Sequence, residues 1–370
     1  MQIDFHHAVT YVLSRLAGFP HGEAVIIAYS AQYVDDAQNT GTIRFDNGLT
    51  YEHIASSHAV VDQHNLWNHE DYQVWVPFHF LPGNNGLPAG KGQELSFEQR
   101  LLCQPNSYVA TDMCRAAFET KGQPNSLHRL GITTHVFADT FAHQRFSGER
   151  HRINSAHDEV LEEIKERIET AVADAVGLGH GAVSVHPDEP FRIWKYRDSN
   201  GLEVPRRNPD IFILACEKIF ELHLSYRGEG GTRQLQPEDR KLLYNSLCGF
   251  ESTDCNSRHQ QWLDLLQTGK FSFGALTAQE IQDVQYHPKG IGSWKYEALG
   301  TLETTDKADN RFSYKDSFEV SNWKRFHDAL KAHQAEVLHN IMPAYGLPES
   351  SEALAHLRRH HVGTLTERGL

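Results

Sequence analysis

The strongest chemical signal in the chain lies in the stretch LHRLGITTHVFADTFAHQRFSG, Leu127 to Gly148. Read as a helix, it places His135, Asp139 and His143 at i, i+4 and i+8, a drift of about 80° over two turns, so the three form one polar stripe. Their neighbours Val136, Phe137, Ala138, Phe141 and Ala142 are small or apolar. A helix that is apolar round most of its circumference is a buried helix. Two imidazoles and a carboxylate removed from water must find partners, since burying a polar group unpaired costs roughly 2–7 kcal/mol. An ordinary hydrogen-bond network would serve. So would a divalent metal ion, for which His and Asp are common ligands.

Other residues of ligand type precede and follow this stripe. His6 and His7 lie in the first turn of an expected helix, where at most one of the two is a ligand and the other caps or faces solvent. Asp35 and Asp36 end a second helix. Acids there oppose the macrodipole, so the pair needs a compensating charge such as a cation. His58 competes with His53, and its spacing to Asp62 also fits a surface i,i+4 hydrogen bond. His79, among Trp75, Phe78 and Phe80, reads as a core histidine as readily as a ligand. His180 and Asp188 fall in a Gly/Pro loop, where functional residues concentrate; His186, in the same loop, reads as turn-forming. The expected metal set is therefore drawn from His6, His7, Asp35, Asp36, His58, His135, Asp139, His143, His180 and Asp188. Asp35 or Asp36 is the candidate general base.

Positioning these groups is the task of a mainly α-helical chain. The periodicity predicts helices over residues 5–19, 22–36, 97–102, 107–120, 158–177, 210–226, 237–247, 258–268 and 321–342, and one running through His53, His58, Asp62 and His64. Asn47-Gly48 and Asn200-Gly201 each predict a short β-hairpin. Val74 to Pro82 reads as extended, because it is short and bounded by prolines. Gly83 to Gln93, with four glycines, reads as a surface loop and candidate lid. Thr277 and Glu280 fit a capping box, and the polar stretch after Gly346 is expected to fray. The expectation is a multi-helix bundle, with residues 1–207 forming a metal-site domain and 208–370 a helical part packed on it, the two possibly continuous.

The totals narrow the function. The 370 residues are 39% hydrophobic and 22% charged, as in a globular protein with a real core. A net charge of −13 and no Lys/Arg run argue against duplex nucleic acid as a partner. Bound cations would still let a phosphorylated small substrate enter. No apolar stretch approaches a membrane span. The first 20 residues lack the basic region and apolar run of a signal peptide, so the chain is expected to stay in the cytoplasm unless a signal-independent route exports it. Five cysteines, none spaced C-x2-C, read as reduced thiols. The 24 histidines lie mostly in the first 190 positions, a bias toward metal chemistry.

The order His6 or His7, Asp35 or Asp36, His58, then LGITTHVFADTFAH with His135, Asp139 and His143, resembles the zinc-dependent phospholipase C and S1/P1 nuclease superfamily. The chain as a whole also looks like an uncharacterised bacterial family of about this length, distantly related to those phospholipases. The resemblance covers roughly the first half. It implies an all-helical fold and two or three zinc ions (iron or manganese as alternatives), with Asp139 bridging and His135 and His143 each holding an ion. It also implies hydrolysis of a phosphoester, such as a phospholipid headgroup, by activated water. The secreted enzymes of that superfamily bind metal through a processed N-terminal tryptophan as well, which this chain lacks.

Two other readings stand beside it. His157-Asp158 is an adjacent pair of the kind used by HD-type phosphohydrolases, although Asp158 is also explained as a first-turn acid. Alternatively, the ions are structural and the helical second half is a partner-binding surface. A single-stranded nuclease would need stacking platforms, for which Trp67, Tyr72 and Trp75 are the candidates.

Overall fold

A computed structural model describes residues 1–57, 70–92, 94–149, 151–156, 179–302 and 311–350. The expected helix over 158–177, His58, Asp62, His64, Trp67 and the pair His157-Asp158 lie outside the described residues.

The fold is mainly α with short strands, as the periodicity predicts. A π-helical segment, Asp4–Val9, opens directly into α1, Thr10–Leu16. Then come α2, His21–Asp36, and a hairpin of β1, Gly41–Phe45, and β2, Thr50–His53. Its turn uses Gly48 at φ +87°, a conformation glycine adopts without steric cost. Next are α3, Glu70–Phe78; α4, Phe97–Leu101; α5, Tyr108–Glu119; and α6, Ser126–Ala142. A second hairpin, β3 Ile193–Arg197 with β4 Glu203–Arg207, leads into α7, Asn208–Arg227. The remaining helices are α8, Pro237–Gly249; α9, Cys255–Gln267; α10, Ala278–Asp283; α11, Trp294–Leu299; α12, Asn322–Ala335; and α13, Met342–Ala344. Thr277 and Glu280 form the expected capping box on α10.

Every residue of α6 except Leu127 is buried. It is the axis of the bundle, contacting α2, α3, α5, α7 and α12. Gly131 sets the closest of these approaches. A Cβ there would stand 2.4 Å from the Ile27 carbonyl oxygen and 2.5 Å from Ser30 Cβ on α2. Gly131→Ala should therefore force α2 away from α6 and cost about 1–3 kcal/mol of stability, which a urea titration would measure. One apolar cluster joins Phe5, Val12 and Phe141 to Phe212, Ile219 and Trp262, so residues on both sides of position 207 share a core.

Two local expectations are corrected. The segment Val74 to Pro82 is not extended, because most of it belongs to α3, with Pro77 inside the helix. Proline removes an N–H donor, leaving the Gln73 carbonyl without its helical partner. The Gln334 side chain of α12 donates to that carbonyl at 2.9 Å, and the helix continues. His53 is not helical either. It closes β2 and packs against Trp323 and His327. Sequence periodicity also misses β5, Arg311–Phe312, which pairs parallel with β1 across more than 260 positions.

Candidate metal centre

Three helices end at one place. The C-terminal ends of α2, α3 and α6 carry Asp35, His79 (one residue past α3), Asp139 and His143, and the loop after α6 returns with His180 and Asp188. The N-terminal segment adds the Met1 amino group and His6.

Asp139, 1% exposed, lies at the middle. Its Oδ1 accepts from the Met1 amine at 2.6 Å and lies 3.1 Å from His6 Nε2. Its Oδ2 is 3.3 Å from both His79 Nδ1 and His135 Nε2. Asp188 is a second hub: Oδ1 is 3.1 Å from His143 Nε2 and 3.1 Å from the Met1 amine, and Oδ2 is 3.3 Å from His180 Nε2. Asp35 Oδ1 is 3.8 Å from both His79 Nδ1 and His135 Nε2. Three sets have ligand atoms within 4.8 Å of one another: His6, Asp35 and His135; His79, His135 and Asp139; His143, His180 and Asp188.

The outer nitrogens of the histidines fix their tautomers. His135 Nδ1 donates to the Ala31 carbonyl at 2.7 Å, and His79 Nε2 to that of Ser56 at 2.9 Å. His143 Nδ1 donates to the His79 carbonyl at 2.8 Å, and His180 Nδ1 to that of Ser184 at 2.7 Å. A carbonyl oxygen only accepts, so each of these nitrogens carries the proton. In the neutral rings, the other four nitrogens turn lone pairs toward carboxylates. A neutral ring so placed turns its lone pair on a carboxylate, which either a second ring proton or a cation between them relieves, and this orientation by backbone carbonyls is the one metal-ligating histidines adopt. His6 adds a second observation. Its ring is fully buried and stacked on His135 at 3.7 Å, yet Nδ1 meets no partner and Nε2 has only its 3.1 Å approach to Asp139, poorly aligned for a hydrogen bond. The residues fit divalent ions.

The charge balance agrees. Three carboxylates share one ammonium group and five imidazoles, so protons on the rings or bound cations must balance the rest. Burial would lower the Met1 amine, but the charges of Asp139, Asp188 and Asp35 prevail and push it up to about 11. Burial would raise Asp139, but His143, the amine, His135 and His6 hold it well below the usual carboxylate range. Asp188 is depressed in the same way by the amine, His180 and His143. Burial drives His6 well down, with the charge of His135 and the amine adding to it. It also brings His180 down to about 4. His79 moves the other way. Burial is outweighed there by its hydrogen bond to Asp139 and the charges of Asp35 and Asp139.

Of the residues proposed from sequence, His6, Asp35, His135, Asp139, His143, His180 and Asp188 therefore converge. His7 and Asp36 do not join them. His7 turns to α9, with Nδ1 2.9 Å from His259 Nε2, and Asp36 accepts from the Tyr286 hydroxyl at 2.6 Å. The physical reason is shared: successive residues on a helical turn point about 100° apart, so only one of each pair can face the centre. Replacing His7 by alanine should leave metal content unchanged while His6→Ala lowers it, as elemental mass spectrometry would read. Two contributors were missed. His79, among its aromatic neighbours, reads from sequence as a core histidine as readily as a ligand and so stands outside the expected set, and the Met1 amine is not a side chain. Of the proposed stacking aromatics, Tyr72 is in the core, donating to the Pro348 carbonyl at 2.7 Å.

A family model described as a family of unknown function, DUF6765, matches residues 1–341. The chain belongs to this family. No curated protein and no solved structure matches it. Among the described residues, no helix is long and apolar enough to cross a membrane.

Proposed function

We propose that the protein is a metal-dependent phosphoester hydrolase of phospholipase C type. The observation that carries this reading is the orientation of four histidines, each holding one N–H on a backbone carbonyl and turning the other nitrogen to shared carboxylates. Asp139 and Asp188, each reaching several histidine nitrogens through its two oxygens, would hold ions together with those histidines. The resemblance to the zinc-dependent phospholipases and nucleases rests on the same His135, Asp139 and His143.

Divalent ions bound here would supply Lewis acidity for a phosphoryl group and acidify a water molecule. The chain's own part is to hold and to deprotonate. Asp35 is the least enclosed of the three carboxylates, with 30% of its side chain exposed against 10% for Asp188 and 1% for Asp139. Burial raises its pKa, with His135 and His79 pulling it back, which makes it the stronger base of the set. Asp35 takes the proton of the attacking water as the oxygen–phosphorus bond forms and the bond to the leaving oxygen breaks. Access along the edge of Asp35 and His180, whose side chain is 18% exposed, favours a catalytic over a closed structural site.

Asp35→Asn should lower turnover by about 10²- to 10⁴-fold with the ions retained; loss of ions in that variant would make Asp35 a ligand instead. The reading itself is tested with zinc-loaded protein on bis(p-nitrophenyl) phosphate and on phosphatidylcholine. Hydrolysis that a chelator abolishes and zinc restores is expected. Tight metal binding with no turnover on any phosphoester would return the centre to a structural role.

A further inference from the structure

Beside Asp139 and His135, side chains from the far half of the chain also hold the N-terminal segment. Helix α9 packs along Asp4–Val9 and sets two consecutive residues against it. Arg258, wholly buried, donates from Nε to Asp4 Oδ2 at 2.6 Å and from Nη2 to Asp4 Oδ1 at 3.3 Å and to Gln2 Oε1. Its Nη1 donates to the Ser252 carbonyl at 2.5 Å, which ties the guanidinium to the loop before α9. His259 meets His7. The planar fork of arginine thus grips residues 2 and 4 in a fixed geometry, as a lysine ammonium could not. Flanking those residues lie the Met1 amine, on Asp139 and Asp188, and His6, on Asp139.

We propose that Arg258 is a positioning residue for the metal centre: its grip on Gln2 and Asp4 sets where His6 and the Met1 amine stand against Asp139. This rests on the metal reading above. Arg258 touches none of the ligand atoms and acts only through the segment it holds. The N-terminal segment itself is a short, wide π-helical turn, seated also on α1 and α2 and anchored by Phe5 against Phe212. Such turns sit at functional sites more often than their frequency predicts, and here the turn carries one residue to the centre and the next to α9.

The test measures zinc stoichiometry and affinity by chelator competition on the full chain, beside the melting temperature of the zinc-free form. Arg258→Gln and the pair-removing double variant Arg258→Gln with Asp4→Asn are compared with Arg258→Lys and wild type. The double variant leaves no buried charge without its partner and guards against simple misfolding. The expected result is at least tenfold weaker binding of the ion held through His6 in both glutamine variants, and a weaker effect in the lysine variant. Zinc on the His143, His180 and Asp188 side should persist. A lower melting temperature with unchanged zinc affinity in the double variant would overturn the proposal, leaving Arg258 a purely structural residue. Wild-type protein that takes up no zinc would instead sink the metal reading on which it rests.

Discussion

Asp139→Asn should leave a folded protein that has lost most of its metal. Elemental mass spectrometry of freshly purified wild type is expected to find two or three equivalents of zinc, iron or manganese, the order expected of a multinuclear hydrolytic site. The amide keeps the shape of the side chain but loses the negative charge, and its NH2 group, a donor, replaces one accepting oxygen. Asp139 lies beside the amine, His6, His79 and His135, so the substitution should be felt at every ion those nitrogens share. Phosphodiesterase activity should fall to background with the metal. Helical content should persist, because Val136, Phe137, Phe141 and their core neighbours are untouched. A wild type without metal even after reconstitution would leave the stripe a buried hydrogen-bond network. The search would then turn to a binding partner.

Acid should unfold the chelated protein steeply, beginning near pH 6.5. Burial lowers His128 and His223 to about 3 and His180 and His259 to about 4, against an ordinary value of 6.5. Below pH 6.5 the unfolded chain therefore binds protons that the folded chain refuses, and stability falls with pH. Each such group contributes about 1.4 kcal/mol per pH unit inside its window, so four together approach about 5 kcal/mol per unit near pH 5. That is comparable with the whole stability of a typical domain, about 5–15 kcal/mol. His79 opposes the trend, since its raised pKa contributes stability below 6.5 that is lost as pH climbs. On the alkaline side the amine, raised from 8.0 to about 11, contributes stability that is complete below pH 8 and lost through pH 11. Urea midpoints taken from pH 4.5 to 9 should trace this profile. A flat curve between pH 5 and 7 would mean that the buried histidines titrate normally.

Much of the centre was legible because helical spacing is a local property. His135, Asp139 and His143 could be read together, since one helix aligns them whatever surrounds it. What could not be read was direction. Asp35 and Asp36, or His6 and His7, differ only in which way a helix is turned, and that is settled by packing against α6 and α9. His79 stayed between core and ligand readings, because the helix that carries it to the centre runs through Pro77, whose cost is met by Gln334 some 260 residues away; no local rule contains that contact. The two hairpins were readable from their Asn-Gly turns, while the parallel β1–β5 pairing, which has no turn, was not.

The convergence of α2, α3 and α6 has a kinetic consequence. Each helix ends in carbonyl groups equivalent to roughly half a negative charge, and all three ends lie beside the small space already holding Asp35, Asp139 and Asp188. Before any cation arrives, that space repels anions. Ion and phosphoester should therefore bind in compulsory order, with the ion first, and inorganic phosphate should protect the chelated protein against heat no better than chloride does. Once zinc is restored, phosphate should act as a competitive inhibitor, an analogue of the phosphomonoester product, and raise the melting temperature. The backbone would in this way enforce the sequence of events before any side chain takes part in the chemistry.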